Sequence, residues 1–172
     1  MAIRKPVTES HETLLARYLQ LPDRLEAAIA GLTESQLDLT SGSGWSIREY
    51  VHHTVEGEWI WQVNLRAILG RDGIEFPFTW YFGLRQDDWA DCWSYGTRPT
   101  GPALLLFRGS TANLVGMLRN IPEKTWEQFG RVTWPGQEKE SCFTVREIVQ
   151  MHINHMDQHT ADIRVIREMH HC

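Results

Sequence analysis

The sequence is poor in the features that mark secreted and membrane proteins. Its three cysteines, Cys92, Cys142 and Cys172, are far apart and form no C-x-x-C pair, which argues against a disulfide framework and a thiolate zinc site. No uncharged apolar run approaches the roughly 20 residues that a spanning helix needs, and the first residues lack the apolar stretch of a signal peptide. These absences predict a cytoplasmic protein with no membrane partner.

Positive charge is also scarce. Seventeen Lys and Arg residues stand against 22 Asp and Glu residues, giving a formal net charge of −5. This balance offers no attraction for a phosphate backbone, so no nucleic-acid partner is expected. The length of 172 residues and the 42% hydrophobic content predict one globular domain over residues 1–172.

Two capping boxes predict the starts of two long helices. In this motif a Ser or Thr side chain and a Glu three residues later each satisfy a backbone N–H at the start of a helix. The box at 46–49 opens a helix that can reach Leu69, and the box at 144–147 opens one that can reach about Met169.

Apolar residues at helical spacing predict further helices over 8–21, 22–30, 102–119 and 122–129, with a join or kink at Pro22. No convincing alternating strand pattern is present. Four principal helices without strands predict an all-α fold, a four-helix bundle.

Three histidines share one face of the last predicted helix. At ~100° per residue, His152, His155 and His159 fall within roughly 20 to 40° of the direction of Ile148. Buried imidazoles must have their donors and acceptors satisfied, so this inward cluster favours a site. His155 and His159 are one turn apart, the spacing that directs two imidazoles to one metal ion.

The earlier long helix supplies the candidate for a third ligand. His53 lies on the flank of its apolar face, one turn before Gly57, which leaves space for a ligand, whereas His52 points to the far side. The predicted metal ligands are therefore His53, His155 and His159. Three protein ligands with an open position are typical of catalytic sites, and imidazoles suit zinc, nickel, copper, iron or cobalt.

The remaining polar candidates have supporting or surface roles in this interpretation. His152 and Asp162 are predicted to support the ligand set from behind or to belong to the core. The other histidines are expected at the surface: His11, His52, His170 and His171. Other kinds of site do not match the sequence. A ferritin-like site needs two inward Glu-x-x-His motifs, and in the motif from Glu49 to His52 the histidine points to the far side. The motifs H-E-x-x-H, G-x-S-x-G, P-loop and G-x-G-x-x-G are absent.

Residues 71–101, the aromatic connection, separate the predicted second and third bundle helices. A connection of this length in a compact domain is uncommon and is usually functional. We expect it to cover the mouth of the metal site or to help form a dimer contact, with Trp80, Trp89 and Trp93 as the pocket wall. Its aromatic residues are Phe76, Phe78, Trp80, Tyr81, Phe82, Trp89, Trp93 and Tyr95.

The sequence resembles the DinB/YfiT-like superfamily of metal-dependent helical bundle proteins. The resemblance is strongest over 28–59, AIAGLTESQLDLTSGSGWSIREYVHHTVEGEW, with its Gly-Leu, Gln-Leu, Gly-Trp-Ser and double histidine. It resumes over 86–89, 102–126 and 144–163. The family's common Ala-Asp-Ser after the histidine pair is Val-Glu-Gly here, at 55–57.

The resemblance implies an up-down-down-up four-helix bundle, frequent homodimers and bound zinc or nickel. It implies metal binding by the second histidine of the pair and by the H-x-x-x-H motif, which carry over onto His53, His155 and His159. The chemistry of the family is diverse and includes hydrolases and transferases of low-molecular-weight thiols.

The sequence therefore predicts a metal-dependent enzyme that activates a thiol or a water molecule and acts on a small-molecule substrate. The face carrying His155 and His159 supplies no carboxylate except Asp162, at its edge, to accept a proton from bound water. A coordinated thiol needs less help, which places thiol transfer ahead of hydrolysis. The alternative is a non-catalytic stress-related or interaction protein.

Overall fold

The computed structural model describes residues 9–42, 44–76, 80–136 and 138–172. The predictions that involve Thr8 and Phe78 lie outside these ranges. The helices and strands in chain order are α1 (His11–Leu19), α2 (Leu21–Ile29), α3 (Glu34–Leu37), α4 (Ile47–Gly70), β1 (Ile74–Glu75), α5 (Gln86–Cys92), α6 (Thr100–Leu118), β2 (Phe129–Thr133), β3 (Glu140–Thr144) and α7 (Val145–His170). Within the described residues, two short 3-10 helices complete the set: Tyr81–Gly83 precedes α5, and Glu123–Glu127 follows α6.

Four helical arms pack into a bundle, which confirms the predicted fold class. The first arm is α1 followed by α2, interrupted at Gln20 two residues before Pro22, and the others are α4, α6 and α7. Gly31 follows the first arm with φ +80°, the left-handed conformation that glycine adopts without strain. The aromatic connection joins α4 to α6, as predicted.

The two long helices begin at the predicted capping boxes. The Ser46 hydroxyl accepts from the Glu49 backbone N–H, and the Glu49 carboxylate accepts from the Ser46 backbone N–H at 2.7 Å. Thr144 and Glu147 repeat this arrangement, with the carboxylate contact at 2.8 Å. Each helix ends within one residue of its predicted end. Among the described residues, no helix is apolar enough over sufficient length to cross a membrane.

A small sheet corrects the expectation that strands are absent. β1 pairs parallel with β2, and β2 pairs antiparallel with β3. The alternating pattern of β2 is hidden because Gly130 occupies a buried position that an apolar side chain would otherwise mark. Since β3 runs directly into the Thr144 cap, the sheet fixes where the histidine-bearing helix α7 begins.

Close packing of Gly130 against Phe76 generates the first prediction. A Cβ atom at position 130 would overlap the buried Phe76 ring, so we expect Gly130→Ala to lower the free energy of unfolding by about 1–3 kcal/mol. Denaturant unfolding measures the change. Gly109→Ala is the matched control: nothing lies within 4 Å of a Cβ there and the site is in the interior of α6, so a gain of about 0.5–1 kcal/mol is expected. Equal stability of the two variants would contradict the packing argument.

Candidate metal centre

The three predicted ligands come together between α4 and α7. His53 lies on α4, and His155 and His159 lie one turn apart on α7. Nε2 of His53 is 3.2 Å from Nε2 of His155, and Nε2 of His159 is 2.9 Å from the same atom. One ligand atom from each of the three histidines lies within 4.8 Å of the others. The fold thus brings His53 together with two histidines that lie about a hundred positions later in the chain.

These separations fit a first-row divalent cation. Nitrogen ligands at the usual zinc distance and tetrahedral angle lie roughly 3.3–3.4 Å from one another. The His53–His155 and His155–His159 distances are within about half an ångström of that spacing. The same three nitrogens suit zinc and nickel equally, so the geometry supports a divalent ion without selecting one.

Asp162 supports the arrangement through His159. Its carboxylate Oδ2 is 3.1 Å from Nδ1 of His159. A carboxylate only accepts, so Nδ1 carries the proton and Nε2 presents its lone pair to the other two histidines. This is the carboxylate–histidine pairing that commonly orients metal ligands.

Burial prepares the imidazoles to act as ligands. Burial, and then the neighbouring His159, lower the pKa of His53 to about 3. The pKa of His155 falls to about 2, chiefly through burial and then through the charges of His159, His53 and His152. The pKa of His159 is also lowered by burial, against the opposing effect of Asp162. Near neutral pH all three rings are therefore uncharged, the form that binds a cation.

Aromatic rings contact two of the three histidines. The Trp45 ring lies 4.5 Å from the His53 ring between centroids, and Tyr50 lies 5.3 Å from His159. The Trp45 indole N–H donates to Asp87 of α5 at 3.0 Å. The aromatic connection is thus tied to the residue that packs against a ligand.

His52 corrects the prediction that it lies at the surface. It points away from the three ligands, as predicted, but it is completely buried, because the segment before α6 covers that side of α4. Its Nε2–H donates to the Arg98 carbonyl at 3.1 Å, and its ring stacks on Tyr95. His11 is also half-buried, stacked on Trp126, whereas His170 and His171 are exposed as expected.

A cavity of about 300 Å³ reaches the histidine cluster at His53 and His155. Gly57 lines it, and a Cβ atom there would lie 3.8 Å from His155, so the glycine keeps open space beside His155 rather than beside His53. The apolar wall across the cavity is formed by Trp61, Trp134 and Met151.

The aromatic connection contributes to this cavity with different residues from those predicted. Tyr81, Phe82 and Gln86 line it. Trp89 and Trp93 stack behind Tyr81, at 5.7 and 6.1 Å between ring centroids, and Trp80 is 53% exposed. Among the described residues, the prediction that Trp80, Trp89 and Trp93 form the pocket wall is therefore corrected. Tyr81 and Phe82 form this part of the wall, and Trp89 and Trp93 pack behind Tyr81.

Glu58 is the functional candidate that the sequence interpretation missed. Its carboxylate is 5% exposed, lines the cavity and bonds to both Tyr18 and His152. The inward direction of Glu58 could have been predicted from the sequence, because Glu58 lies seven residues before the core residue Leu65 and therefore on the same helix face. His152 is buried as predicted, but its polar partner is Glu58 rather than one of the three ligands.

Comparison with known proteins assigns the family. The family model of the DinB superfamily matches residues 17–163, so the chain belongs to the DinB superfamily. A Geobacillus thermodenitrificans (strain NG80-2) protein named "Putative metal-dependent hydrolase" is 26% identical over 156 residues, covering 90% of this chain and 82% of that protein.

A solved structure shows the same fold. It is YfiT from Bacillus subtilis, described as "a probable metal-dependent hydrolase with an unusual four-helix bundle topology". The TM-score is 0.80 at 19% identity, with 96% of this chain and 93% of that chain covered. The predicted resemblance and the predicted bundle are confirmed.

The convergence of the three imidazoles predicts how metal content responds to mutation. We expect His53→Ala and His159→Ala each to weaken binding of Zn(II) or Ni(II) by more than roughly 100-fold, because each removes a predicted ligand. Loss of a residue that only hydrogen-bonds to a ligand typically weakens metal binding by 10- to 100-fold. Metal analysis after equilibrium dialysis at fixed free metal measures the loss.

His52→Ala is the control on the same helix. It is expected to keep wild-type metal content while lowering the free energy of unfolding by about 2–5 kcal/mol, because it empties a buried site without touching the ligands. Metal loss in His52→Ala together with full retention in His53→Ala would overturn the ligand assignment.

The Asp162 contact predicts a smaller effect. Asp162→Asn no longer fixes the proton of His159 on Nδ1, and metal affinity should fall 10- to 100-fold. Competition with a chromogenic chelator measures the affinity. Asp157→Asn removes the same charge from the same helix at a residue paired with Arg24, and we expect it to bind metal like wild type.

Proposed function

We propose that the protein is a metal-dependent hydrolase of a small, uncharged substrate. The observation that carries the proposal is the convergence of His53, His155 and His159 at one end of a cavity. A divalent cation held by these three histidines would lower the pKa of bound water from 15.7 to about 7 and would polarise a carbonyl. The name of the Geobacillus relative supports the same reaction class.

The cavity lining indicates the kind of substrate. At about 300 Å³ it lies at the small end of the range for ligand pockets. Aromatic and thioether side chains form much of its wall, and the described lining includes the Glu58 carboxylate but no Lys or Arg. A phosphate ester would find no cationic side chain there, whereas a neutral ester or amide with a small apolar group fits.

Glu58 changes the order of the two enzymatic interpretations. The preference for thiol transfer depends on the lack of an inward carboxylate that could accept a proton from water. Glu58 supplies such a carboxylate inside the cavity. Hydrolysis is therefore the first candidate. Thiol activation remains the second, because Met151, Phe82 and Trp134 also suit an apolar electrophile and a coordinated thiol is deprotonated without a base.

Metal removal and a substrate panel test the proposal. The zinc- or nickel-loaded protein should hydrolyse p-nitrophenyl acetate, lose that activity on dialysis against a chelator, and regain it with one equivalent of metal. p-Nitrophenyl phosphate should not be turned over. The matched control is His159→Ala, which should show only the metal-independent background.

Other outcomes of this panel decide between the candidates. Metal-dependent conjugation of glutathione, bacillithiol or mycothiol to an electrophile, without ester turnover, would make thiol transfer the function. Bound metal without either activity would favour a non-catalytic role. A homodimer and a cytoplasmic location stay predictions.

A further inference from the structure

A buried chain of hydrogen bonds reaches the wall of the cavity, outside the set of three predicted ligands. Tyr18, Glu58 and His152 are 0%, 5% and 4% exposed. The Tyr18 hydroxyl donates to Oε1 of Glu58, and Nδ1 of His152 bonds to Oε2 of the same carboxylate. Glu58 and His152 line the cavity that His53 and His155 also line.

This arrangement fixes the proton on the His152 ring. The Glu58 carboxylate only accepts, so Nδ1 of His152 is the donor, and in the neutral form of the ring Nε2 carries the lone pair. Nε2 is buried and has no hydrogen-bond partner among the described residues. Burying an acceptor without a partner is unfavourable, and such groups in native proteins call for an explanation such as a catalytic role or a missing ligand.

We propose that His152 is the proton acceptor of this cavity, with Glu58 and Tyr18 as its positioning residues. The inference deepens the proposed hydrolase. As water attacks the substrate, one O–H bond breaks, the proton moves to Nε2 of His152, and the electron pair stays on oxygen. The imidazolium keeps donating from Nδ1 to Glu58, whose negative charge stabilises it. The proton then passes to the leaving oxygen or nitrogen, which restores neutral His152.

A count of protons tests this role without turnover. The probe is acetohydroxamic acid, which binds metal centres as its anion, added to the Co(II)-loaded protein and followed by the visible spectrum. Calorimetry in two buffers of different ionisation heat gives the protons released on binding. Below the pKa of the metal-bound water, where the displaced group is water and not hydroxide, wild type should release none, because His152 takes the proton.

Two variants carry the comparison. His152→Asn keeps an N–H for Glu58 near the place of Nδ1 but lacks Nε2, so it should release one proton per site and bind the probe at least about tenfold more weakly. Glu58→Gln should also release one proton, because a neutral amide cannot stabilise the imidazolium, and it serves alone where His152→Asn fails to fold. One proton released by wild type as well as by the variants would overturn the proposal.

A metal-free measurement separates this proposal from the proposed function. In protein labelled with ¹⁵N-histidine, the His152 ring should carry its proton on Nδ1 and none on Nε2, with the signals assigned by their loss in His152→Asn. A proton on Nε2 would refute the acceptor role whether or not metal binds. Failure of wild type to bind Co(II) would instead refute the metal-dependent function and leave the ¹⁵N result to decide on His152.

Discussion

The convergence of three imidazoles at one point, His53 buried and His155 and His159 half-buried, is the constraint on which the rest of the structure depends. Each ring brings a donor and an acceptor into a largely desolvated region, where unsatisfied polar groups are costly. The packing of α4 on α7 brings the Nε2 atoms of His53, His155 and His159 together, and burial keeps the rings neutral. Three ring nitrogens this close together form a group that could hold a cation.

The rest of the fold fixes where these rings lie. Both ligand-bearing helices start at a capping box, and β3 delivers the chain directly to the cap of α7. A one-residue shift at either cap would rotate the helix by ~100° and move its histidines out of the cluster. Local capping chemistry at Ser46 and Thr144 therefore determines whether a site assembled from distant parts of the chain can form.

Sequence reasoning predicted the histidine cluster well and its surroundings less well. Cap residues and helical periodicity are local signals, so the bounds of α4 and α7 and the inward direction of the histidines followed from them. A helical wheel gives the direction of a side chain but not what covers it, and His52 is buried by a segment far along the chain. Glu58 is absent from the sequence predictions, and a glutamate is usually solvent-exposed. The strand β2 was missed because packing against Phe76 requires glycine at 130.

The span of sequence between the ligands has a consequence for folding. His53 and His155 are separated by 102 positions, so one ion held by both would close a loop of about that length. In the chain-entropy description, a covalent link closing a 100-residue loop reduces the freedom of the unfolded chain by about 4.7 kcal/mol at 25 °C. A coordinated ion acts as a reversible form of such a cross-link. The concentration of free metal in the surroundings would then set how firmly the two halves of the bundle are joined.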